Sequence, residues 1–439
     1  MKYHQITPAT GEPIYPQAVV LMDPDSGNSI RRGPKIATRG VKIDTGGSSA
    51  YVAIPNTSTG AAPSAIRLAA TAACYARLGP TSEASLAIAA AGSGYVSGET
   101  VTVSGGTFSA AMTATVATAK LISASLVTAG TGYAKDDIIT ANGGTAATKA
   151  TLTVSATQLV SANLNAAGTG YTPGNVITTA GGTASTHAAL TVATTKVVSA
   201  TVDTAGASGT DGTATVTGTT GTGVKFTATV TITAGAIASV DSIATGGAYT
   251  TNPTAIAAEP VTGGDLVGAI LTVVMGVNTV TISAAGTYTV NSAALTQNGA
   301  TSPAGGTGAT FNGASYGVKT FTVSEAGIYS VTAANLWQTS VAPTGGSGVT
   351  FDTASWGVLT ATVVNPGAYT VDPSNPVSTT SNLAGTGATF TATMITGAAA
   401  GDILITPYES ITLDAVGFDH VAVIQVSGAG VLQISPIEN

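Results

Sequence analysis

Along most of this chain apolar and polar positions alternate with a period of two. In Glu99-Thr-Val-Thr-Val103, Val101 and Val103 fall on one side and Thr100 and Thr102 on the other. That is the pattern of a half-buried strand. The side chains are largely β-branched, which suits a pleated surface and disfavours a helix. Between 89 and 399 no run carries the 3.6-residue spacing of an amphipathic helix. Paired glycines punctuate the runs, as in Gly105-Gly, Gly143-Gly and Gly181-Gly. They supply the positive φ that tight returns between strands need.

The alternation is itself periodic. Gly92-Ser-Gly-Tyr95 recurs as Gly130-Thr-Gly-Tyr133 and Gly168-Thr-Gly-Tyr171, each 38 residues after the last. Looser copies end in Tyr249, Tyr288, Tyr329 and Tyr369, and a copy without tyrosine stands at Gly206-Ala-Ser-Gly209. The spacing predicts eight units of 38 to 41 residues over 89–399. One unit reads as three short strands; in the second these are Ile138–Thr140, Ala150–Val154 and Leu159–Leu164. The Gly-Gly-Thr of the early units loosens into Gly305-Gly-Thr-Gly308, Gly345-Gly-Ser-Gly348 and Gly385-Thr-Gly387. Each recurring tyrosine is expected to stack over its neighbour and cover a glycine-rich turn, with its hydroxyl in water. The competing expectation is that the tyrosines stack on sugars. The period alone leaves open whether the units coil as a solenoid or interleave with those of sister chains.

The flanks differ in kind. Residues 1–88 hold eight of the 14 basic residues, five of them in one segment: Arg31, Arg32, Lys35, Arg39 and Lys42. This segment is either a solvated loop or an arm that docks on an acidic protein surface. Tyr51–Pro55 and Cys74–Leu78 read as strands, and the alanine-rich Ala69–Ala73 as a helical turn. Residues 400–439 read as four strands, the last ended by Pro436. The four C-terminal strands, with one obvious sheet face, cannot close a core alone. Joined to residues 1–88, they make an ordinary domain into which the repeats are inserted at a loop. The fold class expected is therefore all-β: a small β-barrel or sandwich-like end domain formed by both termini, carrying an elongated array of about eight β-repeats.

Composition narrows the chemistry. Only 8% of residues are charged, against about 25% in an ordinary globular chain. With 44% hydrophobic residues and a net charge of −7, the chain lacks the low hydrophobicity and high charge of disorder. The repeat block has six lysines and no arginine, so a phosphate-binding groove is not expected and nucleic acid is excluded as a partner. Cys74 is the only cysteine, which excludes an intrachain disulfide. No signal-like apolar core opens the chain, so a cytoplasmic origin is expected. The longest apolar stretch, Leu266–Val277, has 12 residues, against the roughly 20 that span a bilayer, so membrane insertion is not expected. His4, His187 and His420 stand apart from one another and from cysteine, which leaves no metal-ligand spacing, and His420 reads as a hydrogen-bonded structural residue. The Gly-x-Gly-Tyr runs lack the lysine and helix of a phosphate loop. Asp136, Asp137, Asp203, Asp211 and Asp241 are spread over different turns, without the paired carboxylates of a glycosidase. No catalytic residue, cofactor or metal is expected.

The flanks carry a resemblance. Tyr51-Val-Ala-Ile-Pro-Asn56, Cys74-Tyr-Ala-Arg-Leu-Gly79, Asp402-Ile-Leu-Ile-Thr-Pro407, Gly417-Phe-Asp-His-Val-Ala-Val-Ile424 and Gly428-Ala-Gly-Val-Leu-Gln-Ile-Ser-Pro436 together resemble a β-rich structural protein of tailed-bacteriophage virions. The inserted repeats resemble those of phage fibres. The resemblance implies a non-enzymatic capsid decoration (cement) protein or head fibre, made in the host cytoplasm and displayed on the virion surface. It also implies the major capsid protein as partner, with the basic segment as the docking element, and a homotrimeric state. The alternative class is a receptor-binding tail fibre or adhesin that holds host-surface glycans; a polysaccharide-degrading spike is a third.

Overall fold

The computed structural model describes residues 35–36, 41–46, 49–80, 83–395, 397–407, 409–426 and 428–438. All regular structure among them is β apart from a single 3-10 position at Glu83, and the pairing in named strands is antiparallel. Packing divides the chain into two units, 1–119 with 356–439, and 120–355. The chain crosses between them inside the strands Thr113–Thr131 and Ser347–Asn365.

In the first unit the two ends of the chain are interleaved. The last strand, Gly430–Glu438, pairs with Lys35–Ile36, Val41–Thr45 and Ala65–Ala70, and the last of these pairs in turn with Ser410–Asp414. A second sheet runs Ala50–Ala53, His420–Gln425, Cys74–Gly79, Ile403–Ile405. Alternate residues of both sheets share one buried cluster that includes Ile43, Ile66, Leu68, Cys74, Val421, Val423, Leu432 and Ile434. Ala69–Ala73 is not a helical turn. Ala65–Ala70 is a strand, because Ile66, Leu68 and Ala70 all point inward while Arg67 points out. Nor does Pro436 end the last strand, which continues to Glu438. On that side Val41–Thr45 pairs up to Ile434 and Lys35–Ile36 from Ile437 onward, so the proline falls between two ladders, where a missing N–H is tolerated. The same unit holds the pairs Ser85–Ser93 with Thr386–Thr393, and Thr100–Val103 with Val377–Ser381.

In the second unit the pairing is nested. Thr151–Thr169 lies along Thr307–Glu325, Ala189–Thr204 along Ile270–Ala284, and Thr227–Thr233 forms a hairpin with Ala236–Thr245. Early copies of the repeat thus pair with late copies, and the chain turns back at the tyrosine-less copy. The two runs expected at Ala150–Val154 and Leu159–Leu164 are one 19-residue strand. No glycine separates them, and the intervening Ser-Ala-Thr-Gln stays extended, with bulges taking up the irregular register. The short strand Thr145–Thr148 follows the glycine pair and joins Ile328–Val331.

Candidate functional site

The recurring tyrosines form the most regular constellation in the molecule. All seven are at most 1% exposed, so the expectation of a water-facing hydroxyl is corrected. The hydroxyl is the end of a tie across the sheet. On late copies, the backbone N–H of Phe226 donates to Tyr249 Oη at 2.8 Å, that of Ala188 to Tyr288 at 2.8 Å, that of Ala150 to Tyr329 at 2.8 Å, and that of Met112 to Tyr369 at 2.9 Å. In the other set the tyrosine stands on the early copy and the donating N–H on the late one. Ala309 N–H donates to Tyr171 Oη at 3.0 Å and Ala388 N–H to Tyr95 Oη at 3.3 Å, and Val349 serves Tyr133. Tyr171 and Tyr133 in turn donate to the side-chain carbonyls of Gln297 and Gln338. Each tie joins an early copy to the late copy it pairs with.

Glycine is required where the ring crosses. Gly92, Gly130 and Gly168 have φ of 62°, 61° and 60°. A Cβ on any of them would lie 2.4 Å from the backbone oxygen of Thr386, Ser347 or Thr307, and 2.7 Å from its own unit's tyrosine ring. From the opposite strand, Gly306, Gly346 and Gly385 lie against the rings of Tyr171, Tyr133 and Tyr95, where a Cβ would come within 2.0, 2.7 and 2.3 Å. Burial pushes the hydroxyl of Tyr133 up to about 12. It also raises those of Tyr171, Tyr249, Tyr329 and Tyr369, against the lowering effect of the backbone hydrogen bonds.

The fourth residue after each early tyrosine is a buried acceptor: Glu99, Asp137 or Asn175. Each takes a backbone N–H three residues earlier, from Val96 at 2.8 Å, Ala134 at 2.9 Å and Thr172 at 2.9 Å. Each also reaches the opposite strand. Glu99 accepts from Gly385 N–H at 3.0 Å and Asp137 from the Thr344 hydroxyl, and Asn175 donates to Pro303 O at 3.1 Å. Asp136, next door, is exposed and ion-paired with Lys135 at 2.7 Å. Asp241 is exposed, its carboxyl held low by the hydroxyls of Ser239 and Thr231. Each of these carboxylates is held by partners of its own.

Of the basic residues read as a docking element, Arg31, Arg32 and Arg39 lie outside the described residues, as does the Lys35 side chain. Lys42 is exposed on its strand, opposite Gln433. His4 is outside the described residues. His187 meets Tyr288 edge-on at 6.1 Å, with its Nδ1 buried and unpaired among the described residues. His420 is buried, with Nδ1 2.7 Å from Asp419. Burial raises the thiol of Cys74. No cluster of three or more His, Cys, Asp or Glu residues fit to hold a metal ion occurs among the described residues, and among them no helix is long and apolar enough to cross a membrane.

Two features escaped the sequence reading. Gln297 and Gln338 sit in Leu-Thr-Gln and Leu-Trp-Gln, a recurrence too short to register beside the Gly-x-Gly-Tyr period. Trp337, in the second of these, is 48% exposed. No protein-family model matches this chain, and neither a curated protein nor a solved structure shows significant similarity to it.

Proposed function

We propose that the chain is a non-enzymatic structural protein of a tailed-bacteriophage particle, decorating or cementing the capsid. In this reading, 1–88 and 400–439 form a sandwich-like docking domain, and 89–399 an inserted array of about eight β-repeats. The observation that supports it best is how the recurring side chains are used. The tyrosines and the acceptors at Glu99, Asp137 and Asn175 are buried and bonded to the opposite strand, so the recurring part of each unit is spent on its own scaffold. The interleaving of both chain ends in one unit supports an insertion between them. Weakly charged strand edges favour symmetric association as cover, and a homotrimer is the state proposed.

The basic segment Arg31, Arg32, Lys35, Arg39 and Lys42 is proposed to dock on the major capsid protein, since such charge is stable only in water or against an acidic partner. The test has two parts. Immunogold labelling of particles that carry the chain should mark the head evenly. Rebinding to particles stripped of the protein should weaken with salt, and further in an Arg31→Ser/Arg32→Ser double variant. Label confined to the tail would replace this reading with a receptor-binding fibre. Equal rebinding by both proteins at every salt concentration would remove the docking role of the segment.

A further inference from the structure

With the tyrosines buried, two large aromatic side chains of the repeats are left exposed, Phe108 and Trp337. Phe108 lies against the Tyr369 ring at 5.3 Å, and Trp337 is the larger and the more exposed of the two. Trp337 stands one residue after Leu336, which pairs with Phe351, and is itself opposite Thr350. The same place in the neighbouring copies is Thr296, after Leu295 opposite Phe311, and Ser378, after Val377 opposite Phe390. A hydroxyl residue is thus the ordinary occupant, and the scaffold does not need an indole there. Trp337 is 48% exposed.

Its surroundings are polar on both sides. In the sheet, Trp337 pairs with Asn142 on one flank and Thr350 on the other, and directly opposed residues share a face. Thr350 is bonded at 2.8 Å to Thr128, whose single hydroxyl proton goes to Gly348 O, also at 2.8 Å. Thr350 is therefore the donor in that pair, and its oxygen keeps acceptor capacity. The Asn142 amide has no side-chain partner among the described residues. Thr339 and Ser340, further along the Trp337 strand, are exposed hydroxyl residues.

We infer that Trp337, with Asn142 and Thr350, is a binding site for a neutral hexose or N-acetylhexosamine unit of a polysaccharide. The apolar face of a pyranose presents C–H groups to the electron-rich face of an indole. Its ring hydroxyls would then meet the Asn142 amide on one side and the Thr350 oxygen on the other. A protein interface would call for a contiguous apolar centre around the ring, and both cross-strand neighbours here are polar. No charged residue flanks the indole in the sheet, which is why the sugar is assigned as neutral. This site is separate from the docking segment and does not depend on whether the chain sits on the head or the tail.

The chain has two tryptophans, Trp337 and the buried Trp356, so a surface ligand on Trp337 has a direct optical readout. The protein should bind members of an array of neutral bacterial-type oligosaccharides. Titration with the best of these should shift tryptophan emission to the blue with saturation. Trp337→Ser restores the residue type of the neighbouring copies; it should leave the melting profile unchanged and weaken binding about tenfold or more. Trp337→Phe should retain part of the affinity. Absence of binding to every neutral glycan on the array, or equal binding by Trp337→Ser, would overturn the assignment.

Discussion

The paired terminal sheets and the tyrosine layers solve the same packing problem in different ways. The cluster between the terminal sheets is aliphatic, made of Ile43, Ile66, Leu68, Val421, Val423, Leu432 and Ile434 with alanines and Cys74, and contains no aromatic ring. A layer of the second unit gathers Tyr171, Tyr288, Tyr316 and Phe311 around Leu190, Val192 and Leu295. The first cluster needs only apolar shape. The second places hydroxyls at its centre, and each must be satisfied, because an unpaired polar group in a dry interior is costly. The difference has a consequence for register. Strands such as Thr151-Leu-Thr-Val154 and Thr320-Phe-Thr-Val323 repeat a two-residue motif, and a slip of two would keep every apolar side chain inward. It would also strand the Tyr171 and Ala309 pair. The tyrosine ties therefore fix a register that hydrophobic alternation alone leaves degenerate.

The sharpest break in the comparison is expected at the glycine under a tie. Gly168→Ala forces φ of 60° on a residue with a Cβ only 2.4 Å from Thr307 O. The cost expected is on the order of 4 kcal/mol or more, the range reserved for strain and clash together. Gly174→Ala is the control: φ is 90°, but nothing lies within 4 Å, so only about 1–2 kcal/mol should be lost, to backbone strain. Urea denaturation of the two variants checks this, and equal losses would mean that the close approach does not matter. In the aliphatic cluster Leu68→Ala removes a fully buried side chain and should cost about 2–5 kcal/mol.

Tyr171→Phe keeps the ring and deletes the hydroxyl, leaving Ala309 N–H and Gln297 without it. A loss of about 1–3 kcal/mol is expected, between the previous two effects and the surface ones. The ties also set a pH limit. A tyrosine in the unfolded chain ionises near about 10, whereas Tyr133 in the folded protein does so at about 12. The stability gained by keeping it neutral is complete below pH of about 10 and is lost as pH rises toward the folded value. Tyrosinate absorbance and circular dichroism followed together should show buried tyrosines ionising with loss of strand signal. Ionisation of all the tyrosines near their ordinary value, with the strands intact, would contradict the buried ties.

Much of this organisation is legible in the residues. Alternation gives the strands, and the Gly-x-Gly-Tyr period marks where the ties begin. What the period does not contain is the partner of each unit, because neighbouring copies are locally alike and a sequential stack would satisfy the same alternation. The signal lies in an asymmetry between copies. The loosened glycine runs at Gly305, Gly345 and Gly385 supply the ring-contacting glycines for Tyr171, Tyr133 and Tyr95 in reverse order, which matches a chain that turns back. The placement of the hydroxyls was misjudged because a tyrosine beside a glycine turn is as compatible with water as with a backbone N–H from another copy, which for every tie but that of Tyr249 lies 100 or more residues away. Trp337 was not legible as a surface feature, since its exposure depends on which face of Leu336–Ala342 is covered.

The smallest effect comes from two neighbouring aspartates that the sequence presents as equivalent. Asp136 is exposed and paired with Lys135 at 2.7 Å, with both partners substantially in water. Such pairs contribute about 0–1 kcal/mol, most of it screened by salt. Lys135→Ala should therefore shift stability by no more than about 0.5 kcal/mol, and the shift should vanish at high ionic strength. Asp137, one residue on, is fully buried and accepts from Ala134 N–H and the Thr344 hydroxyl. Asp137→Ala should cost about 1–3 kcal/mol, because it leaves buried donors unpaired on both strands, and salt should change that cost little. Thermal melts of the two variants at low and high salt separate the cases. A salt-sensitive loss in Asp137→Ala would mean that the carboxylate acts as a surface charge, and would remove it from the set of cross-strand ties.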